Sequence, residues 1–277
     1  MGRISETFDR LKKEGRKGLV TYVTAGDPSL ARTVDILRAL EQAGADVIEL
    51  GVPFSDPLAD GPVIQRATER ALARGTTLSA VIGLVERVRA TLTVPIVLFT
   101  YVNPLVRMGL PDFANRAAAA GVDGVLILDL PVEEADECRG LLDGHGLDTI
   151  FLLSPTTTQE RIRQAARLGR GFLYGISRLG VTGARTAVAA GATELAERIR
   201  RETTLPIALG FGISHPDHVR QIGRVADAAV VGSALVQVIA DAGDSDRLTT
   251  AVEGYVRWLK GIGPQPGRAA AAAGQVA

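Results

Sequence analysis

Eight short apolar runs recur along this chain, and their regular alternation with helical patterns restricts the fold more than any other feature of the sequence. The runs are "LVTYVT" (19–24), "DVIEL" (46–50), "PIVLFT" (95–100), "GVLILDL" (124–130), "DTIFLLS" (148–154), "GFLYGIS" (171–177), "PIALG" (206–210) and "DAAVVG" (227–232). Each is rich in Val, Ile and Leu without strict polar alternation, as strands buried on both faces of a parallel sheet are. The intervening stretches 29–43, 62–74, 78–91, 111–120, 132–145, 158–168, 193–202 and 216–223 carry apolar residues at helical spacing. Several have legible ends: Asp27-Pro28-Ser29 supplies a turn and a cap, Gly44, Gly75 and Gly121 follow helices, and Pro111 sits in a first turn. Eight βα units predict an α/β fold, a single closed (β/α)8 barrel, because closure leaves no strand edge exposed. An open doubly wound sheet is the alternative. A helix over residues 5–14 is expected to cap the barrel bottom, giving a barrel domain over 1–261, and Pro, Gly and Ala without periodicity predict a disordered tail over 262–277.

Composition narrows the partners. Lys plus Arg equals Asp plus Glu at 31 each, so nothing in the overall charge favours a nucleic acid or an anionic membrane, and a small anion would need a local site. The single Cys138 cannot form an internal disulfide, and the first eighteen residues are charged throughout with no apolar leader, so the chain reads as cytoplasmic. The longest near-continuous apolar run, 228–240, is interrupted by Gly232, Ser233 and Gln237 and falls short of the ~18 residues a membrane span needs.

In a barrel of this kind the chemistry sits at the C-terminal ends of the strands. The segment "ELGVPFSDPLADGP" (49–62) leaves the second run with three carboxylates and three prolines. Glu49, next to last in its run, points into or over the barrel mouth. A buried structural ion pair would also account for it, but an unpaired buried carboxylate costs several kcal/mol, so some role is required. Asp60, in an "ADG" turn signal, could serve only its own backbone; Pro53, Pro57 and Pro62 stiffen the loop enough to hold it over the mouth instead. Asp56 is left for a cap or a partner contact.

A second cluster follows the last two strands. "GFGIS" (210–214) and "GSALV" (232–236) place glycines where backbone approaches an anion, the latter at a helix N-terminus, so Gly232 and Ser233 read as phosphate ligands. Glycines that only permit tight turns are the plainer reading. The polar "SRLGVTGART" (177–186) after the sixth run suits either a lid or a loose surface loop, with Thr182 and Gly183 able to touch a carboxylate and a phosphate on closure. His145, His215 and His218 have no metal-ligand spacing, and the eight runs contain no lysine for a Schiff base.

Taken together, "VTAGDP" (23–28), "ELGVPFSDPLADGP", "SRLGVTG", "GFGIS" and "GSALV" resemble the alpha subunit of tryptophan synthase, with the likeness running from about residue 4 to 260. The resemblance implies a lyase that splits indole-3-glycerol phosphate into indole and glyceraldehyde 3-phosphate by retro-aldol cleavage, with no cofactor and no metal. It implies Glu49 as the acid-base group for the hydroxyl and the ring proton, Asp60 as the stabiliser of charge at the indole nitrogen, and Tyr174 beside the glycerol. It further implies Gly183, Gly212, Gly232 and Ser233 as phosphate ligands. The ring pocket would be built from Tyr22, Phe99, Leu126, Leu128, Leu152 and Phe211, in which Tyr22 replaces the phenylalanine and Leu152 the isoleucine of the enteric pattern, and Phe99 and Leu128 are bulkier than its leucine and alanine. Asp56, Pro57, Asn103 and Pro131 would face a beta subunit in a heterotetramer.

Three rivals remain at the level of sequence. A standalone indole-3-glycerol phosphate lyase would release free indole without a partner. A glycoside hydrolase would also carry paired carboxylates, though aromatic residues at 4% leave few sugar-stacking platforms. A non-catalytic binding subunit would keep only the phosphate loops.

Overall fold

The computed structural model describes residues 2–176, 185–210 and 212–266. The chain runs α1 (Arg3–Lys13), β1 (Gly18–Thr24), α2 (Leu30–Gln42), β2 (Val47–Gly51), α3 (Pro62–Ala73), α4 (Leu78–Arg89), β3 (Ile96–Thr100), α5 (Val102–Met108), α6 (Leu110–Ala120) and β4 (Gly124–Ile127). It continues, after a single 3-10 turn, with α7 (Ala135–Gly144), β5 (Asp148–Leu153), α8 (Gln159–Leu168), β6 (Leu173–Ile176), α9 (Arg185–Arg200), β7 (Ile207–Gly210), α10 (Pro216–Ile222), β8 (Ala228–Val231), α11 (Ser233–Ala242) and α12 (Leu248–Leu259). The strands are all parallel and close in sequence order, β8 pairing back onto β1, so the expected (β/α)8 barrel forms and the open sheet is excluded. Among the described residues no helix is long and apolar enough to cross a membrane.

Strand periodicity divides the core in two. Residues pointing outward pack under the helices, while those pointing inward fill the barrel with Val20, Val47, Val97, Leu126, Ile150, Phe172, Ala208, Ala228 and Val230. Helix α1 plugs the N-terminal end: Ile4, Phe8 and Leu11 join this interior cluster, with Phe8 tilted against Phe172 at 5.6 Å. The same end carries a repeated device. Asp46, Asp123 and Asp227, each just before a strand, accept hydrogen bonds from the backbone N–H of Leu19, Ile96 and Ile207 on the preceding strand at 2.8–2.9 Å. Each carboxylate is also paired with a cation, Lys260, Arg89 and Arg200 respectively.

Several boundaries differ from expectation. The fourth run is a strand only to Ile127, because the chain turns at Leu128 and Asp129 takes up the backbone N–H of Val102 at 2.7 Å. Helix α9 begins at Arg185, inside the stretch read as a lid and eight residues before the predicted start; residues 177–184 lie outside those described. Helices α5 and α12 are additions to the eight-unit pattern. Ser29 caps α2 as expected, accepting from Arg32 N–H, and Gly121 ends α6 in the left-handed region. Most of the expected tail, 267–277, is outside the described residues.

Candidate active site

Counting two residues onward from the last interior position of a run reaches the C-terminal mouth of the barrel. That step leads from Val20 to Tyr22, from Val47 to Glu49, from Val97 to Phe99, from Leu126 to Leu128, from Ile150 to Leu152, from Phe172 to Tyr174 and from Val230 to Gly232. Phe99, Leu128, Leu152 and Tyr174 are half-buried and pack on the interior cluster, forming an apolar floor under the opening. Leu126, expected in the same pocket, lies one layer deeper with no exposed surface. Tyr22 stands edge-on to Phe99 with ring centres 5.0 Å apart. Ala67 and Val236 are buried with Tyr22, and Val63 and Ile64 pack on them, so α3 and α11 supply one wall. Val63 and Ile64 are absent from the sequence-based pocket. Their signal is two apolar residues in the first turn of a helix that starts just after Asp60.

Glu49 is 1% exposed and faces Tyr22 across the β1–β2 register. Among the described residues neither carboxyl oxygen has a hydrogen-bond partner, and burial alone raises its pKa to about 8. At neutral pH this carboxyl therefore holds its proton. Asp60 is half-buried at the end of the proline-rich loop; burial raises its pKa to about 6, against the lowering effect of a 3.0 Å hydrogen bond donated by the Tyr101 hydroxyl. At neutral pH it is predominantly ionised. The two acids act on one neighbourhood. Burial first, then the charge of Asp60 and to a smaller degree that of Glu49, raise the pKa of Tyr22, while Tyr174 is raised by burial and then by Glu49.

The loop that carries Asp60 is tied down at several points. Tyr101 accepts the Ala59 N–H at 3.1 Å as well as donating to Asp60, and its ring tilts against Phe54 at 5.2 Å. Asp60 N–H reaches the Pro57 carbonyl at 3.1 Å, and Gln65 of α3 donates to the Asp60 carbonyl at 2.9 Å. Tyr101 is a functional candidate that sequence reasoning misses, and its one sequence signal is its place directly after β3. Gly51 has a steric reason to be glycine, since an added Cβ would lie 2.2 Å from the Tyr22 hydroxyl.

On the opposite side of the mouth, Gly210 of β7 pairs with Val230 of β8, so the two glycine turns leave adjacent strands. Gly212 is exposed with a φ of 71°, and Gly232 precedes α11, whose first residue Ser233 is exposed. The first N–H groups of that ten-residue helix have no carbonyl of their own to meet and carry the positive end of its dipole. Phe211, Thr182 and Gly183 lie outside the described residues. Asp56, Asn103 and Pro131 are exposed and Pro57 half-buried, on segments following β2, β3 and β4 at this same end. Leu58 between them is 94% exposed.

A parallel barrel whose mouth sets one protonated carboxyl and one ionised carboxylate over an apolar floor, with a helix N-terminus across from them, is an enzyme of the (β/α)8 class equipped for proton transfer. Comparison with known proteins is specific. The family model for the tryptophan synthase alpha chain matches residues 8–259, and the chain belongs to that family, which makes it an enzyme of tryptophan biosynthesis. It is 50% identical to the tryptophan synthase alpha chain of Solibacter usitatus over 94% of this chain and 97% of that one. It is 54% identical to that of Geobacter sulfurreducens over 86% and 90%. The crystal structure of tryptophan synthase subunit alpha from Legionella pneumophila superposes with a TM-score of 0.87 at 37% identity, covering 95% of this chain and 98% of that one.

Proposed function

We propose that the chain is a cytoplasmic carbon–carbon lyase that cleaves indole-3-glycerol phosphate to indole and glyceraldehyde 3-phosphate and works with a tryptophan synthase beta subunit. The observation that carries this reading is the contrast between the two acids, Glu49 with a pKa raised to about 8 and Asp60 with one of about 6, beside a single apolar floor.

The proton balance suits such a pair. Glu49, protonated, gives its proton to ring C3, which turns the indole into an electron sink. The carboxylate so formed takes the proton of the hydroxyl on the carbon attached to C3. That oxygen becomes the aldehyde, the carbon–carbon bond breaks, and its electron pair returns to the ring, leaving the new hydrogen on C3. Glu49 ends as it began. The positive charge that passes to the ring nitrogen is met by ionised Asp60, which Tyr101 orients. Tyr22, Phe99, Leu128 and Leu152 hold the ring and exclude water, with Leu126 supporting them from below; Tyr174 sits toward the glycerol. Gly212, Gly232 and Ser233 hold the phosphate through backbone N–H groups. Phe211, Thr182 and Gly183 complete the site in the resemblance. Asp56, Pro57, Asn103 and Pro131 belong to the docking face for the beta subunit.

The test is release of indole from indole-3-glycerol phosphate by the pure protein, alone and with a beta subunit. We expect measurable release alone, an increase with the partner, and a loss of about 10²-fold or more in Glu49→Gln and in Asp60→Asn. Near-wild-type turnover in either variant would refute the assignment. Fast release that no partner improves would point to a standalone lyase.

A further inference from the structure

Histidines 215 and 218 and the last helix take no part in the chemistry above, yet they meet behind the glycine turn that follows β7. Among the described residues of the turn, Gly212 and Ser214 are exposed and Ile213 is buried in the core. From Ser214 onward its contacts become specific. Ser214 N–H donates to His218 Nδ1 at 3.3 Å, and His215 caps α10 by accepting the Asp217 N–H at 3.2 Å. Helix α12 reaches over this corner. The hydroxyl of Tyr255, a buried residue, donates to the Ser214 carbonyl at 3.4 Å, and half-buried Trp258 stands edge-on to His215, with ring centres 5.0 Å apart and planes at 87°. Tyr255 and Trp258 are themselves in ring contact at 5.8 Å. The same helix packs along α11, whose N-terminus is Ser233. One C-terminal helix therefore touches the end of the first glycine-bearing segment and packs on the helix that the second one opens, and the two segments leave adjacent strands at the barrel mouth.

We propose that α12 is the brace of the phosphate site: Tyr255 and Trp258 are positioning residues that hold the 212–215 turn in the conformation in which its backbone receives the phosphate ester dianion of the substrate. The inference rests on the reading of Gly212, Gly232 and Ser233 as phosphate ligands. Its physical basis is that an exposed, glycine-containing turn must lose backbone freedom to bind an anion, and a turn fixed beforehand loses less on binding. Because Tyr255 and Trp258 would reach the anion only through the turn, the brace acts on affinity and leaves the bond-breaking step, made by acids on β2 and its loop, untouched. Trp258 is the single tryptophan of the chain, so its emission reads this corner without interference from elsewhere.

Full-length protein is titrated with inorganic phosphate while Trp258 emission is followed, and indole release from indole-3-glycerol phosphate is measured across substrate concentration for wild type, Tyr255→Phe, Trp258→Ala and Trp258→Phe. The brace predicts a saturable change in emission. It also predicts a KM raised about fivefold in Tyr255→Phe, which removes one oxygen and one hydrogen bond, with kcat within about twofold of wild type. Trp258→Ala should raise KM similarly, and Trp258→Phe, which keeps a ring against His215, should restore it. Flat emission across the titration, an unchanged KM in Tyr255→Phe, or a fall in kcat without a change in KM would each overturn the proposal. Should Trp258→Ala fail to fold, Tyr255→Phe decides. If the wild type releases no indole, the functional reading fails. The brace is then judged on the phosphate affinity of wild type against Tyr255→Phe, a ratio of one refuting it.

Discussion

A carboxyl group that is buried without a partner is costly to ionise, and among the described residues Glu49 has no partner. Its proton leaves near pH 8 in the folded chain but near its ordinary value, about 4.3, once the chain unfolds. Between those limits the folded state binds more protons than the unfolded, so Glu49 makes the protein progressively less stable as the pH rises through that window, and the loss levels off above 8. At about 1.4 kcal/mol for each pH unit between the two values, the cost is on the order of a few kcal/mol. Glu49→Gln removes it. Denaturant unfolding should show the variant gaining on wild type between pH 5 and pH 8, with a constant difference above that. A stability difference that does not change with pH would mean that Glu49 is solvated or paired. The gain in stability accompanies a loss of activity, as expected where a strained environment serves the chemistry. The importance of Glu49 is legible in the sequence, because a carboxylate at the end of an apolar run needs either a partner or a task. The hold of Tyr101 on Asp60 is not, because the two are 41 residues apart and nothing local marks a tyrosine as the partner of a distant acid.

Strands are far more legible than helices, for a physical reason. All eight strands lie in a barrel buried inside and out, so each must be an apolar run, and each expected run coincides with one to within a residue or a few at its ends. Helices are marked only by periodicity and caps. Helix α5 is seven residues long with Pro104 near its start, too short to show a face, and α12 follows the last βα unit, where an eight-fold count stops looking. Helix α1 is legible together with its capping role, and the packing shows how that role is filled, with Ile4, Phe8 and Leu11 closing the N-terminal end of the barrel interior. Phe8→Ala would leave a cavity there and should cost about 3–5 kcal/mol in denaturant unfolding. Because the plug and the mouth are at opposite ends, KM for indole-3-glycerol phosphate should stay within about twofold of wild type under conditions where the variant is folded. A large rise in KM would mean that the two ends are coupled through the barrel.

Only the whole barrel brings the parts of the site together. Glu49 comes from a strand, Asp60 from a stiff loop, Tyr101 from the end of the next strand and Gly232 from the last βα turn. Closing β8 onto β1 places Tyr22 beside Gly232, where an added Cβ would meet the tyrosine at 3.6 Å. Over this mouth the two acids have different proton affinities. The pH dependence of kcat/KM reads that difference, since it reports the groups of the free enzyme. Measured with indole-3-glycerol phosphate, it should be bell-shaped, rising as Asp60 ionises near pH 6 and falling as Glu49 loses its proton near pH 8. A profile that is flat from pH 5 to 9, or that keeps rising through pH 8, would rule out one protonated and one ionised acid as the working pair.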